Sequence, residues 1–263
     1  MSVSFQRFAR EALCALGLLA CSDGRYVIGR QLAGGAVIMD GGTDGGVGEC
    51  AGVQKDALVC SGFEADVLTD DWSSAVTEGA GELERSTARA HSGRAALHAT
   101  TGDAMSAAAL ARSFGPVRAG ELYLRAHLYV PSGPPTEIMN IFYVGAAAGP
   151  EPFVGIDFNL QDDAVEVYSP QGNPERQTGT GLIPRDAWFC LQARIEVRDD
   201  GGVVEVRVDG VPALEATDIN TLPPAGIVEL RVGIDWSSEQ QEPFELYIDD
   251  VVLDTVEVAC LAP

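Results

Sequence analysis

Short runs in which every second residue is apolar fill this chain from Ser61 onward, and a period of two dictates strands. In Glu121–Val130 the residues Leu122, Leu124, Ala126, Leu128 and Val130 share one side. Trp188–Arg198 repeats the pattern through Phe189, Leu191, Ala193, Ile195 and Val197, and Val203–Asp209, Ile227–Trp236 and Phe244–Val252 follow it. A strand with one apolar face must bury that face against a second layer. Asp199-Asp200-Gly201-Gly202 joins two of these runs as a hairpin, and Asp209-Gly210 makes a second tight turn into Val211. Glycine supplies the positive φ that such turns need. Ala104–Ser113 is alanine-rich, which favours helix, but Leu110-Ala111-Arg112-Ser113-Phe114 reads better as a strand. Roughly a dozen strands and no long helical stripe predict an all-β antiparallel sandwich or barrel.

The N-terminus reads differently. Arg7 and Arg10 precede an apolar run from Ala12 to Ala20, followed by Cys21 and Ser22-Asp23-Gly24. A basic start, a brief apolar core and a small residue before the cut describe a secretory signal over residues 1–20, too short to span a bilayer. Cysteine as the first residue after the cut resembles the bacterial lipoprotein signal, which implies a diacylglycerol on Cys21. The expected location is the bacterial cell envelope, facing periplasm or exterior, with the membrane contacted through the lipid alone. Residues 21–60 read as a tether, where Gly34-Gly35, Gly41-Gly42 and Gly45-Gly46 interrupt any periodicity and Asp40 and Asp44 keep it solvated. Residues 61–260 form the expected folded domain.

Charge narrows the partners. Acidic side chains number 39 against 17 basic ones, a net of −22. Such a field repels phosphate backbones, so nucleic acid is not an expected partner, and polyanionic sugars are disfavoured. Cys14 would leave with the signal and Cys21 would carry lipid, so Cys50, Cys60, Cys190 and Cys260 remain for two disulfides in an oxidising compartment. Of three possible pairings, Cys50–Cys60 and Cys190–Cys260 are favoured. Neither Cys-x-x-Cys nor histidine ligand spacing occurs, which argues against zinc.

Five phrases in order carry a family resemblance. Gly62-Phe63-Glu64 with Asp71-Trp72, His91-Ser92-Gly93-Arg94-Ala95-Ala96-Leu97, Arg185-Asp186-Ala187-Trp188-Phe189, Val206-Arg207-Val208-Asp209-Gly210 and Tyr247-Ile248-Asp249-Asp250-Val251 together resemble the concanavalin A-like lectin/glucanase superfamily. The resemblance implies a jelly-roll sandwich that binds its ligand across a concave sheet. It also implies a possible structural calcium held by Glu64 and by Asp249 or Asp250, since oxygen donors suit that ion.

Candidate ligand residues follow. Tyr123, Arg125, His127 and Tyr129 point away from the apolar side of their strand, and Asn140, Asp157 and Asn159 could extend that surface into one groove. Tyrosine stacks on sugar rings, while arginine, amides and carboxylates bind hydroxyls, so a polysaccharide or other glycan is the expected partner. The Glu-x-Asp-x-Glu run of similar glucanases is absent, and Asp157 stands alone in Gly155-Ile156-Asp157-Phe158-Asn159. Non-catalytic carbohydrate binding is therefore the first expectation. A lyase using Arg125, His127, Tyr129 and Asn140, a divergent hydrolase, or a structural or adhesive surface module are the alternatives.

Overall fold

The computed structural model describes residues 56–102, 105–131, 135, 137–147, 154–170, 175–179, 183–239 and 242–260. The expected signal, the Cys21 lipid site, most of the tether and Cys50 lie outside them. Fifteen strands, numbered β1 to β15 in chain order, and no helix make up the described residues. They form two antiparallel sheets.

The first sheet runs β13 (Val211–Ile219), β12 (Gly202–Val208), β11 (Trp188–Val197), β6 (Gly120–Tyr129), β15 (Phe244–Asp254), β4 (Ala96–Thr101) and β3 (Glu82–Ser86), with β1 (Val59–Ser61) also paired to β15. The second runs β10 (Glu175–Gly179), β9 (Ala164–Ser169), β8 (Gly155–Gln161), β7 (Met139–Gly145), β14 (Ile227–Ser237), β5 (Ala107–Val117) and β2 (Ser74–Glu78). From Ala107 onward the alanine-rich segment is thus a strand. Its small side chains at Ala107, Ala108, Ala109 and Ala111 are buried between β14 and β2. Packing overrides their helix propensity.

Alternation does the sorting. Leu122, Leu124, Ala126 and Leu128 of β6 and Phe189, Leu191, Ala193, Ile195 and Val197 of β11 face the core, opposite Phe142, Val144, Ile156, Phe158, Leu230 and Val232 of the second sheet. Asp209 and Gly210 take φ of 50° and 76° between β12 and β13, the two-residue turn expected there.

Cys190 and Cys260 are bonded, 70 positions apart in sequence. Cys60 is also in a disulfide. The 190–260 bridge pins the segment after β15 across β6 and β11, where the Gln192 amide donates to the Val258 carbonyl at 2.8 Å. Loop-closure entropy for a ring of that size is worth about 4 kcal/mol. The double variant Cys190→Ala/Cys260→Ala should therefore lose about 3–4 kcal/mol in urea denaturation without loss of strand content by circular dichroism.

Candidate functional site

Both sheets have an outer face, and the candidate residues divide between them. Tyr123, Arg125, His127 and Tyr129 lie on the outer face of the first sheet, whereas Asn140, Asp157 and Asn159 lie on that of the second. The expected single groove does not form. Two layers of core side chains separate the two groups.

The first sheet's outer face around Arg125, His127 and Tyr129 is occupied by its own chain. Arg125 is 1 % exposed. Its guanidinium donates to the Asp250 carbonyl at 3.2 and 3.3 Å and to the Ala259 carbonyl at 3.2 Å. Burial lowers its pKa, with Asp250 opposing the shift. The His127 ring stacks on His91 at 3.6 Å, and Tyr129 meets Trp188 and Tyr247 edge-on with the Arg89 guanidinium 4.1 Å above its ring. Tyr123 donates to Glu121 at 2.5 Å. Arg125, His127 and Tyr129 thus hold the segment around residue 91 and the C-terminal segment in place.

The same region tests the calcium expectation. Glu64 Oε1 accepts the main-chain N–H groups of Arg94 and Ala95, and its Oε2 accepts the Arg94 side chain. Gly93 makes this possible, because its φ of 61° turns the backbone onto a carboxylate that a Cβ there would strike at 2.3 Å. Asp249 Oδ2 accepts from the main chain of His91 and Ser92, and Oδ1 from that of Asp250. N–H donors aimed at these oxygens repel a cation, so Glu64 and Asp249 as arranged do not fit calcium. His91, His127 and Asp250 bring ligand atoms within 4.8 Å of one another. Yet the two rings are only 10° from parallel, so their in-plane lone pairs run side by side rather than converge. Burial, reinforced by Asp250, pushes the Asp249 carboxyl up to about 7. His98 has a plainer role, bridging Glu84 and Glu245 at 2.7 and 3.1 Å.

The second sheet presents a different surface. In β8, Ile156, Phe158 and Leu160 enter the core, which turns Asp157 and Asn159 outward. An irregularity between Asn140 and Phe142 in the β7–β8 pairing sends Ile141 inward as well, so Asn140 and Tyr143 are the outward residues of β7. Register then lays out two rows. Trp236, Asn140, Asn159 and Glu166 lie side by side across β14, β7, β8 and β9, and Arg231, Tyr143, Asp157 and Tyr168 form the row beside them.

Between the rows β14 is irregular from Val232 to Trp236. Gly233, with φ 128°, sits where a Cβ would come 2.3 Å from the Ala108 carbonyl oxygen. A regular strand separates residues i and i+4 by about 13 Å. Here the distortion lets Arg231 donate to Asp235 at 3.0 and 3.2 Å, while it also donates to Glu229 at 2.8 Å.

This face is polar and buried together. Asn140 is 3 % exposed and Asn159 and Glu166 each 4 %. Asn159 donates its amide to Glu166 at 2.9 Å. The Asn140 amide N–H group is hydrogen-bonded to Asp157, and its buried Oδ1 accepts no hydrogen bond among the described residues. Burial, then repulsion from Asp235, pushes the Asp157 carboxyl up to about 7, despite the bond from Asn140 and the pull of Arg231. Burial raises Asp235 too, against the opposing Arg231 charge. Tyr143 is no base, because its hydroxyl lies 2.8 and 3.1 Å from the carbonyl oxygens of Ala146 and Val154 and burial raises its pKa. None of the three histidines stands on this face. Arg231, Asp235 and Glu166 were not singled out from sequence, although Glu229, Arg231 and Asp235 fall at the polar positions of an alternating strand, as does Glu166 between Val165 and Val167.

No protein-family model matches the sequence, and no curated protein matches it. Solved structures do. The endo-β-1,4-glucuronan lyase of the fungus Trichoderma reesei aligns with a TM-score of 0.58 at 16 % identity, over 71 % of this chain and 92 % of that one. The cellulose-induced protein Cip1 aligns with a TM-score of 0.52 at 14 % identity, over 71 % of this chain and 93 % of that one. At such identities the likeness is one of fold. With the two antiparallel layers, it shows the concanavalin A-like jelly roll that the framework phrases resemble.

Proposed function

We propose that this chain binds a polysaccharide across the outer face of the second sheet and cleaves it, with Asp157 as the proton-transferring group. One observation carries the reading. A half-buried carboxyl that titrates near neutrality stands among buried amides on an outward face, where the fold needs no polar side chain. Such a group can give a proton to a departing glycosidic oxygen or take one from a ring carbon. Asp235 is a second carboxyl on the same face, raised in the same direction, and paired carboxyls are the usual equipment for breaking a glycosidic bond.

Elimination from a uronate is the second reading, favoured by the extent of the fold likeness to the glucuronan lyase. The test is to incubate the protein with neutral and uronate-bearing polysaccharides from pH 5 to 8, reading reducing ends and the ultraviolet absorbance of unsaturated uronates. Reducing ends alone identify hydrolysis; both signals identify elimination. Asp157→Asn should yield neither, and His127→Ala, on the other sheet, should keep its activity per folded molecule. Binding without product contradicts cleavage, and absence of saturable binding as well contradicts the site. An exported chain anchored through Cys21 would present this face at the bacterial envelope, a placement supported by the Arg7–Cys21 stretch.

A further inference from the structure

Trp236 is 43 % exposed and stands in register with Asn140, beside the acidic pair of β14 and β8. The other two tryptophans are placed otherwise: Trp72 is buried on Phe63, and Trp188 packs against Tyr129 and His91. An indole left in water on a polar face is unfavourable for folding alone, and it suits stacking under the C–H face of a sugar ring. Its neighbour supplies the second observation. Asn140 donates to Asp157, which fixes its amide orientation and leaves Oδ1 as a buried acceptor with no donor among the described residues. A buried acceptor of this kind is normally satisfied, and a sugar hydroxyl is a donor of the right type.

From this pairing we infer that the site takes an uncharged sugar, its ring stacked on Trp236 and one hydroxyl donating to Asn140 Oδ1. The inference rests on the second-sheet face being the glycan site, and it adds the substrate class. A uronate carboxylate brings only acceptors to that position. It would also meet Asp157, Glu166, Glu229 and Asp235, while Arg231 is already engaged by two of them. A chain of net charge −22 adds long-range repulsion. Hydroxyl groups escape both penalties.

The experiment is calorimetric titration with neutral hexasaccharides (cellohexaose, xylohexaose and mannohexaose) and with a glucuronic acid hexamer, alongside tryptophan emission. We expect at least one neutral probe to bind with a shift in emission and the acidic probe not to bind at pH 8. Trp236→Ala should weaken binding at least ten-fold at an unchanged melting temperature, and Trp236→Tyr should restore most of it. Preference for the acidic probe overturns the substrate class. Binding that Asn140→Ala abolishes but Trp236→Ala spares overturns the stacking platform and leaves the site standing. Binding that neither substitution touches overturns the site itself, as does failure of every probe to bind.

Discussion

Asp157→Asn is expected to abolish cleavage while making the folded chain more stable above neutral pH. The sign follows from linkage. The carboxyl titrates near 3.8 when unfolded and at about 7 when folded, so the native state holds more protons between those values. Stability therefore falls as pH rises from about 4 to about 7, and the penalty stays in full above that window. Three pKa units correspond to about 4 kcal/mol, and residual exposure of the carboxyl brings the expected gain nearer 2 kcal/mol. The replacing amide would still accept from Asn140 through its own oxygen, and it carries no charge. Asp249, also raised to about 7, gives a slope of the same sign in both proteins, so the difference between them isolates position 157. Urea denaturation at pH 4.5, 6 and 8 should show the two curves meeting on the acid side and parting upward. A gap independent of pH would refute this origin. Loss of activity with gain of stability is what a site held in an unfavourable charge state predicts.

Arg231→Met should produce the largest loss. The guanidinium is buried, bonded to Glu229 and Asp235, and 5.2 Å from the Tyr143 ring centroid. Removing it leaves buried carboxylates without their counter-charge, which typically costs about 3–5 kcal/mol. The loss should be greatest at pH 8 and smaller at pH 5, because Asp235 and Asp157, both raised already, can then take up protons. Arg231→Lys should recover only part, since one ammonium cannot reach two carboxylates with the geometry of a planar fork. Equal losses at both pH values would mean that the side chain matters for packing alone.

The fold could be read from the chain because alternation records burial directly. In β6 the alternate residues Leu122, Leu124, Ala126 and Leu128 enter the core, and β11 alternates from Leu191 to Val197, while the Asp209-Gly210 turn follows from backbone sterics. The site could not, for a reason specific to sandwiches. Alternation separates inside from outside, but a two-layer fold has two outsides. Which one a strand faces depends on pairings between distant segments: β6 lies between β11 and β15, and β7 between β8 and β14. His127 and Asn140 are thirteen positions apart in sequence and point to opposite sides of the molecule. Asp235 was hidden further, since only the distortion at Gly233 brings it to Arg231.

Which outer surface meets the sugar is best settled by backbone amide chemical shifts recorded during titration with a bound oligosaccharide. A site on the second sheet requires shifts clustered on Asn140, Tyr143, Asp157, Asn159 and Trp236, with β6 and β11 unmoved. Shifts centred instead on Arg125, His127 and Gln192 would contradict it.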